Sequence, residues 1–315
     1  GLVLTIIADS FWGLMISSLL VGFANGSVEA GCNPIISECY DKNKTTMLNR
    51  FHVWFPAGIV IGALTSYAMS NAGIGWQLQI AVMLIPTVLY GVLLVGAVVP
   101  SHDAEVVSTS GNFKSMLTPV FVFLAICMTL TAQTELGTTQ WADKILAGSG
   151  MHPMATLAMI FTIMALGRFF AGPLVHKFNP TGVLLYSAVV STLGLVMLSQ
   201  FSGPLAIVAA IVFALGVTYF WPTMIGCVAE YLPKTGALGM SIVGGAGMAS
   251  VAVWSPIVGG WVDTAQSEVS AAGASEAEIA AMVGPEVLQS LTIFPMVLVI
   301  AFTGFYFYMK KHNAK

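Results

Sequence analysis

Long uninterrupted apolar runs constrain this chain more than any other feature, because each could cross a lipid bilayer as a helix. About 20 apolar residues span the hydrocarbon as α-helix, and nine runs of roughly this length follow one another along the sequence. Period-2 alternation is absent, and backbone groups in lipid must be hydrogen-bonded within their own segment. The sequence therefore predicts an all-α membrane protein. The runs are Phe11–Ile36, Leu48–Met69, Trp76–Val99, Met116–Gln140, Met154–Val175, Gly182–Ser199, Ala206–Tyr231, Gly236–Trp261 and Leu288–Met309.

The composition narrows the classes of partner. Charged residues make up 8% of the chain and hydrophobic ones 57%, whereas about a quarter of a soluble domain is charged. A net charge of −3 argues against a nucleic-acid partner or an anionic surface. The cysteines lack metal-ligand spacing, so we expect small apolar side chains rather than a metal site or disulfides, and no cofactor. They are Cys32, Cys39, Cys127 and Cys227.

Basic residues indicate how the chain lies in the membrane. Ten of the 11 Lys and Arg residues fall on alternate connections and on the tail, and the other connections hold only Lys144. Basic loops stay in the cytoplasm, so we expect a cytoplasmic C-terminus. The stretch Asp263–Glu286, which has no Lys or Arg, is then expected outside.

The chain begins with Gly1–Ala8, which is apolar but too short to span a bilayer. We interpret it as the remnant of a span, and the chain as an N-terminally truncated fragment. The polar, Ser-rich stretch Pro100–Ser115 is typical of a linker between helical bundles. We therefore expect a first bundle over residues 1–99, a cytoplasmic linker over 100–115 and a second bundle over 116–315.

Local motifs give two further expectations. Ser275 and Glu278 have the spacing of a capping box, which predicts a short surface helix that ends at Gly284-Pro285. We favour a plain connector there over a gate or lid. Small-residue pairs within the runs allow close helix approach in lipid. These pairs are Gly22 with Gly26 and Gly58 with Gly62.

A polar stripe in the first run carries the main functional signal. Glu29 lies near the middle of that run, and Asn25 and Asn33 lie one helical turn to either side of it. A carboxyl group at this depth costs on the order of 2.5–3.5 kcal/mol when it is charged, unless it is paired or faces water. A neutral carboxyl avoids this cost. We favour a stripe that lines a solute pathway over a carboxyl that only joins helices.

Other intramembrane polar residues are weaker candidates. Gln133 and Glu135 lie in the outer third of the fourth run. His52 lies one turn inside the second run, where it could relay a proton or simply lie at the interface. Arg168 and Lys177 are expected at the cytoplasmic end of the fifth run, with a structural role.

Aromatic side chains within the spans suit either of two roles. Tyr219, Trp221 and Trp254 could stack on a sugar ring or fill a bundle core. The sequence leaves these alternatives open.

The stretch Gly167–Phe178 (GRFFAGPLVHKF) resembles the cytoplasmic G-R-x-x-x-G-P-L-x-D-R-F loop of major facilitator superfamily transporters. His176 occupies the acidic position of that loop. The resemblance implies two six-helix bundles, of which this chain holds nine complete helices and the remnant of one. It also implies a structural motif at the residues Gly167, Arg168, Gly172 and Lys177.

The stretch Gly22–Pro34 is similar to helix four of the fucose/glucose-galactose:proton symporter branch, in which a Glu precedes an Asn-Pro pair. Glu29, Asn33 and Pro34 match that pattern, whereas Phe55 stands where the branch usually has a polar residue. This resemblance implies a proton-coupled symporter for a sugar or similar small solute. It also implies a bacterial inner membrane and a full-length protein that works as a monomer.

Three alternative functions remain at this stage. A facilitator or an exporter of other small molecules would share the same fold. A membrane-embedded enzyme would need a catalytic constellation, and the five histidines are scattered. A sensor that has lost transport would need a soluble signalling domain.

Overall fold

The computed structural model describes residues 1–98, 109–140 and 153–313, and within these ranges every regular element is helical. Residues 1–98, here called the first segment, form six helices. They are α1 (Leu2–Ile7), α2 (Phe11–Cys39), α3 (Lys44–Phe51), α4 (Trp54–Asn71), α5 (Trp76–Ala81) and α6 (Leu84–Leu94).

The remaining described residues form the second segment. Its helices are α7 (Thr109–Met116), α8 (Pro119–Ala132), α9 (Thr138–Gln140), α10 (Pro153–Phe169), α11 (Ala171–Gln200), α12 (Pro204–Val217), α13 (Phe220–Tyr231), α14 (Gly236–Ala271), α15 (Glu276–Leu291) and α16 (Ile293–Asn313). A π-helical turn, Gln133–Gly137, joins α8 to α9.

The spans predicted from the apolar runs are confirmed. Eight helical units in the described residues are long and apolar enough to cross a membrane, and the shorter Ala155–Phe169 supplies a ninth apolar helix. The eight units are Phe11–Cys39, Asp41–Asn71, Trp76–Leu94, Pro119–Gln140, Ala171–Gln200, Pro204–Tyr231, Pro233–Ala271 and Met282–His312.

A sharp kink divides α11 into two parts. Asn179 has φ 57° and ψ 164°, a conformation that Asn tolerates better than most residues, and Pro180 follows it. Residues 171–178 therefore extend the span that α10 begins, and residues 180–200 form the next span. This division gives Ala155–Phe169 the length that it lacks by itself.

The buried core lies almost entirely in the second segment. Side chains such as Leu124, Met164, Phe213 and Phe302 are at most 1% exposed, whereas α6 contains no buried residue. Exposed apolar helices are unusual in soluble proteins but are what a hydrocarbon environment requires.

The small-residue pairs are not used for close helix contacts among the described residues. Gly22, Gly26, Gly58 and Gly62 have no described neighbour within 4 Å of a built Cβ position. The tight contacts lie instead between α11 and α12. A Cβ on Gly194 would overlap the Phe213 backbone, and one on Gly216 would overlap the Ser191 backbone.

The predicted capping box is present, but the helix it begins does not end where the sequence indicates. The Ser275 hydroxyl and backbone N–H donate to the Glu278 carboxylate and hold the pKa of that carboxyl below its ordinary value. α15 continues through Gly284 and Pro285. Val287, Leu288 and Leu291 beyond the proline are buried in the core, and this packing outweighs the local stop signal.

The polar connection expected at 100–115 falls partly outside the described residues. Residues 100–108 are the part of this connection that lies outside the described ranges. Residues 109–115 form most of α7, which lies beside the turn Pro233–Thr235.

Candidate functional site

Polar side chains from both segments meet in the interior of the helical bundle. They come from α2, from the junction of α3 and α4, from the π-helical turn, and from α10 and α13. We call these six residues the polar cluster: Glu29, Asn33, His52, Glu135, Arg168 and Trp221.

Glu29 joins the two segments. Its Oε2 accepts a hydrogen bond from Trp221 Nε1 at 3.3 Å and a longer one from Asn33 Nδ2 at 3.5 Å. The Glu29 side chain is half-buried. Gly244 of α14 lies against its carboxylate, because a Cβ atom added to Gly244 would lie 3.7 Å from Glu29 Oε2. The carboxylate therefore lies between helices while part of it stays accessible.

Asn33 connects Glu29 to His52 through hydrogen bonds. Asn33 Oδ1 lies 3.0 Å from His52 Nε2, and both side chains are buried. Because an amide oxygen only accepts hydrogen bonds, the tautomer that fits this contact carries its N–H on His52 Nε2, which donates a hydrogen bond to Asn33 Oδ1. The donors thus run in one direction, from His52 through Asn33 to Glu29.

Arg168 forms more hydrogen bonds than any other residue of the cluster, and its side chain is 1% exposed. Its Nη2 lies 2.7 Å from Glu135 Oε1. Its Nε donates to the Thr218 carbonyl at 2.7 Å and its Nη1 to the His52 carbonyl at 3.2 Å. The guanidinium therefore links three separate helical units and both segments.

Local backbone features bring the members of this ion pair together. A Cβ on Gly167 would lie 2.7 Å from Thr218 Cγ2, so glycine lets α10 approach the end of α12. The π-helical turn Gln133–Gly137 holds Glu135, and such turns change the direction of side chains and recur at functional sites.

The structure places the other predicted site residues apart from the cluster's hydrogen bonds. Gln133 is fully buried, and neither atom of its amide has a described partner. Asn25 is exposed on α2. Tyr219 packs with Ala171, Val175 and Val183 in a small separate apolar cluster.

Trp254 likewise lies within an aromatic group. Its ring meets Phe294 edge-on at 4.8 Å and lies 6.1 Å from Trp261. These contacts fit the core-filling alternative for Trp254. Of the three predicted aromatic residues, only Trp221 is hydrogen-bonded within the polar cluster.

Arg168 does not lie where the sequence predicted. We expected it at the end of its span, but residues 171–178 extend the helix beyond it and its side chain is buried against Glu135. Lys177, which is exposed, does lie near that end, where its Nζ is 5.3 Å from the Phe178 ring centroid. Gly172 lies near the same end of the helix, where a Cβ atom added to it would lie 3.5 Å from Thr46 Cγ2.

Sequence reasoning missed a second contact between the segments, at the bundle end that carries Lys44, Lys177 and Lys234. We call it the basic end. Glu230 Oε1 accepts from the Thr45 hydroxyl at 2.6 Å and from the Thr45 backbone N–H at 3.0 Å. Glu230 stands at the end of the seventh apolar run, and this position was the one signal that could have drawn attention to it.

Two further contacts close the same surface. Asn49 Nδ2 lies 3.3 Å from Thr223 Oγ1. A Cβ on Gly226 would overlap Thr45 Oγ1. In this structure α3 and α13 are therefore in direct contact at the basic end.

The chemistry of the cluster is that of hydrogen bonding and proton binding. Glu29 is partly accessible and bonded to neutral donors, whereas Glu135 is buried and paired with a cation. Within the described ranges no three metal-ligating side chains come together. Intramembrane ionisable groups of this kind mark solute and proton pathways.

Bundled apolar spans around an interior cluster of ionisable side chains are typical of membrane proteins that move solutes or protons. The family comparison gives the particular family. Residues 1–256 match the model of the Major Facilitator Superfamily, and the chain belongs to that superfamily. It is an integral membrane transporter of a small solute and not an enzyme.

Solved structures show the same fold at low identity. A crystal structure of a single-residue variant of the E. coli fucose:proton symporter FucP is 15% identical, with a TM-score of 0.63, over 94% of this chain and 80% of that one. A structure of FucP, described as a superfamily transporter in the outward conformation, is 15% identical with a TM-score of 0.66, over 93% and 78%. A comparison with curated proteins found no match.

Proposed function

We propose that this transporter moves a sugar or similar small polar solute together with a proton, by alternating access between the two segments. The observation that carries the proposal is the contact of the Glu29 carboxylate in the first segment with the Trp221 indole N–H in the second. A group that binds both proton and solute at such a contact can couple the two.

Glu29 suits the role of proton site better than Glu135 does. Glu135 pairs with Arg168 at 2.7 Å, and a neighbouring guanidinium favours the charged form of a carboxyl. Among the described residues, Glu29 accepts hydrogen bonds from the neutral donors Trp221 and Asn33, and it remains partly accessible. Neutral donors allow the carboxyl to gain and lose a proton without leaving an unpaired buried cation.

The surroundings of Glu29 also suit a polyhydroxylated solute. A carboxylate, an amide and an indole offer hydrogen-bond donors, acceptors and an aromatic face in one place. The superfamily fold is shared with FucP, whose name describes a fucose:proton symporter. That likeness supports the choice of a sugar over an apolar compound.

The proposal includes a direction in the membrane. The basic end faces the cytoplasm by the positive-inside rule. The contacts of Thr45 with Glu230 and of Asn49 with Thr223 then close the cytoplasmic side. Transport requires these contacts to open while the opposite side closes.

The test compares accumulation with exchange in proteoliposomes. Glu29→Gln imitates the permanently protonated carboxyl, so it should exchange radiolabelled substrate across the membrane but lose accumulation driven by a proton gradient. Glu29→Ala should also weaken substrate binding, because the solute loses a partner. Glu38→Gln, an exposed carboxyl on the same helix, is the matched control and should accumulate normally.

The nearest alternative is a facilitator or an exporter of another small molecule. A facilitator would equilibrate its substrate equally well with or without a proton gradient. If Glu29→Gln concentrates substrate with the pH dependence of the unmodified protein, Glu29 only joins helices and proton coupling through it is wrong.

A further inference from the structure

A cavity at the basic end lies between the two segments and outside the polar cluster. Its volume is about 360 Å³, and a water molecule in the liquid occupies about 30 Å³. The cavity can therefore hold a tetrahedral anion with room to spare. Its lining consists of Asn43, Thr46, Met47, Arg50, Gly172, Pro173 and His176.

The chemistry of this lining favours an anion. Arg50 and His176 supply nitrogen donors, Asn43 and Thr46 supply an amide and a hydroxyl, and no carboxylate is among the described residues that line the cavity. The Arg50 guanidinium makes a weak contact with Met47, in which Nη1 lies 3.9 Å from Sδ. Its planar donors match the oxygen spacing of phosphate.

Thr46 gives an independent indication of a ligand. Its side chain is 6% exposed, and its Oγ1 has no hydrogen-bond partner among the described residues. A helical threonine usually donates to a carbonyl of the preceding turn, and a buried hydroxyl without a partner is unfavourable. An oxyanion in the cavity would accept this hydrogen bond.

We propose that this cavity binds a phosphate-bearing anion, either free phosphate or a phospholipid headgroup, through Arg50, His176 and Thr46. Arg50 and Thr46 belong to the first segment and His176 to the second. The bound anion therefore bridges the segments and stabilises the arrangement in which the basic end is closed. Its effect on transport rests on the proposed function, whereas binding itself does not.

Thermal unfolding of the purified full chain in maltoside micelles, which contain no phosphate, tests the proposal. One arm adds inorganic phosphate against chloride at equal ionic strength, and the other adds short-chain phosphatidic acid. A ligand that binds the folded state raises the midpoint with concentration. A response to phosphate indicates the free anion, and a response to phosphatidic acid alone indicates the headgroup. No response in either arm overturns the proposal.

Variants locate the binding. Arg50→Gln should weaken the apparent affinity by about tenfold or more, since hydrogen bonds to charged groups are the stronger class. Thr46→Val keeps the shape, so it should weaken affinity several-fold without lowering the midpoint measured in chloride. Lys234→Gln, an exposed basic-end control, should respond like the unmodified protein. Equal responses in all variants would place binding elsewhere and contradict the proposal.

Glu29→Gln separates this inference from the proposed function. That variant should retain the full response to phosphate, because Glu29 does not line the cavity. A response lost in Glu29→Gln but retained in Arg50→Gln would overturn the site assigned here.

Discussion

Arg168 and Glu135 form a buried ion pair in which Nη2 lies 2.7 Å from Oε1 and the side chains are 1% and 2% exposed. Two further N–H groups of the guanidinium donate to the carbonyls of Thr218 and His52. Removing one partner of such a pair costs about 3–5 kcal/mol, because the other charge stays buried and unpaired. The pair therefore holds α10 against the π-helical turn.

Neutralising both members should destabilise the protein less than neutralising either one. Glu135→Gln leaves a buried cation and Arg168→Gln leaves a buried carboxylate, so each single change should lower the free energy of unfolding by about 3 kcal/mol. The double variant leaves no charge. A double-mutant cycle of denaturant unfolding in micelles measures the coupling. Additive effects within about 0.5 kcal/mol would show that the pair contributes no stabilising interaction.

Arg168→Lys separates charge from geometry in the same experiment. Lysine keeps the positive charge but lacks the planar set of donors that reaches both carbonyls. We expect it to recover less than half of the stability that Arg168→Gln loses. Full recovery would show that the bonds to Thr218 and His52 contribute little.

A second prediction concerns the contact of α3 with α13. Gly226→Ala places a Cβ that would overlap Thr45 Oγ1, and overpacking of this kind costs typically about 1–3 kcal/mol. The substitution should therefore shift the protein towards the state that is open at the basic end. A cysteine at Asn49, which is fully buried in this contact, should then react with a thiol reagent roughly fivefold faster or more.

The labelling needs a background without native cysteines and a matched glycine. Gly245→Ala is suitable, because Gly245 has no described neighbour within 4 Å of a built Cβ. It should leave the reactivity of the cysteine at position 49 unchanged. Equal reactivity in the Gly226 and Gly245 variants would show that the Thr45 contact does not hold the basic end closed.

The spans and the polar stripe could be predicted from the sequence because both depend on local periodicity. Run length alone identified the nine apolar helices, and a spacing of four residues placed Glu29 and Asn33 on one helical face. Their partner Trp221 was predicted only as an aromatic surface. It is 192 residues away in the chain, and no local pattern encodes that distance.

The ion pair could not be predicted, because it depends on two features that leave no periodic signal. The π-helical turn at Gln133–Gly137 changes which face Glu135 occupies. The helix that contains Arg168 continues beyond the end of its apolar run through residues 171–178. The small-residue pairs illustrate a related limit, since spacing permits close approach but does not supply a facing helix.

A third prediction concerns orientation in the membrane. If the basic end is cytoplasmic, a cysteine at Lys42 or Lys234 should resist an impermeant thiol reagent in intact cells, and one at Ser270 should react. All three positions are exposed in the structure, so shielding would come from the membrane and not from burial. The native cysteines must be removed first. Labelling at Lys42 with none at Ser270 would reverse the orientation.

The last prediction decides whether His52 carries a proton or only positions Asn33. The His52 Nε2–H donates to Asn33 Oδ1 at 3.0 Å, and the His52 carbonyl already accepts from the Arg168 guanidinium. A ring held in this way acts as a donor of fixed tautomer. His52→Gln can still donate an N–H towards Asn33 but cannot titrate, so it should keep the pH dependence of substrate accumulation.

His52→Ala supplies the contrast, because it removes the donor and leaves Asn33 Oδ1 without its partner. Without that hydrogen bond Asn33 can turn away from Glu29, so substrate affinity should fall by about tenfold, the factor that corresponds to 1.4 kcal/mol. Uptake at several external pH values, measured in both variants beside the unmodified protein, separates the two roles. If His52→Gln abolishes the pH dependence while Glu29→Gln preserves it, the titrating group is His52, and Glu29 is not the proton site.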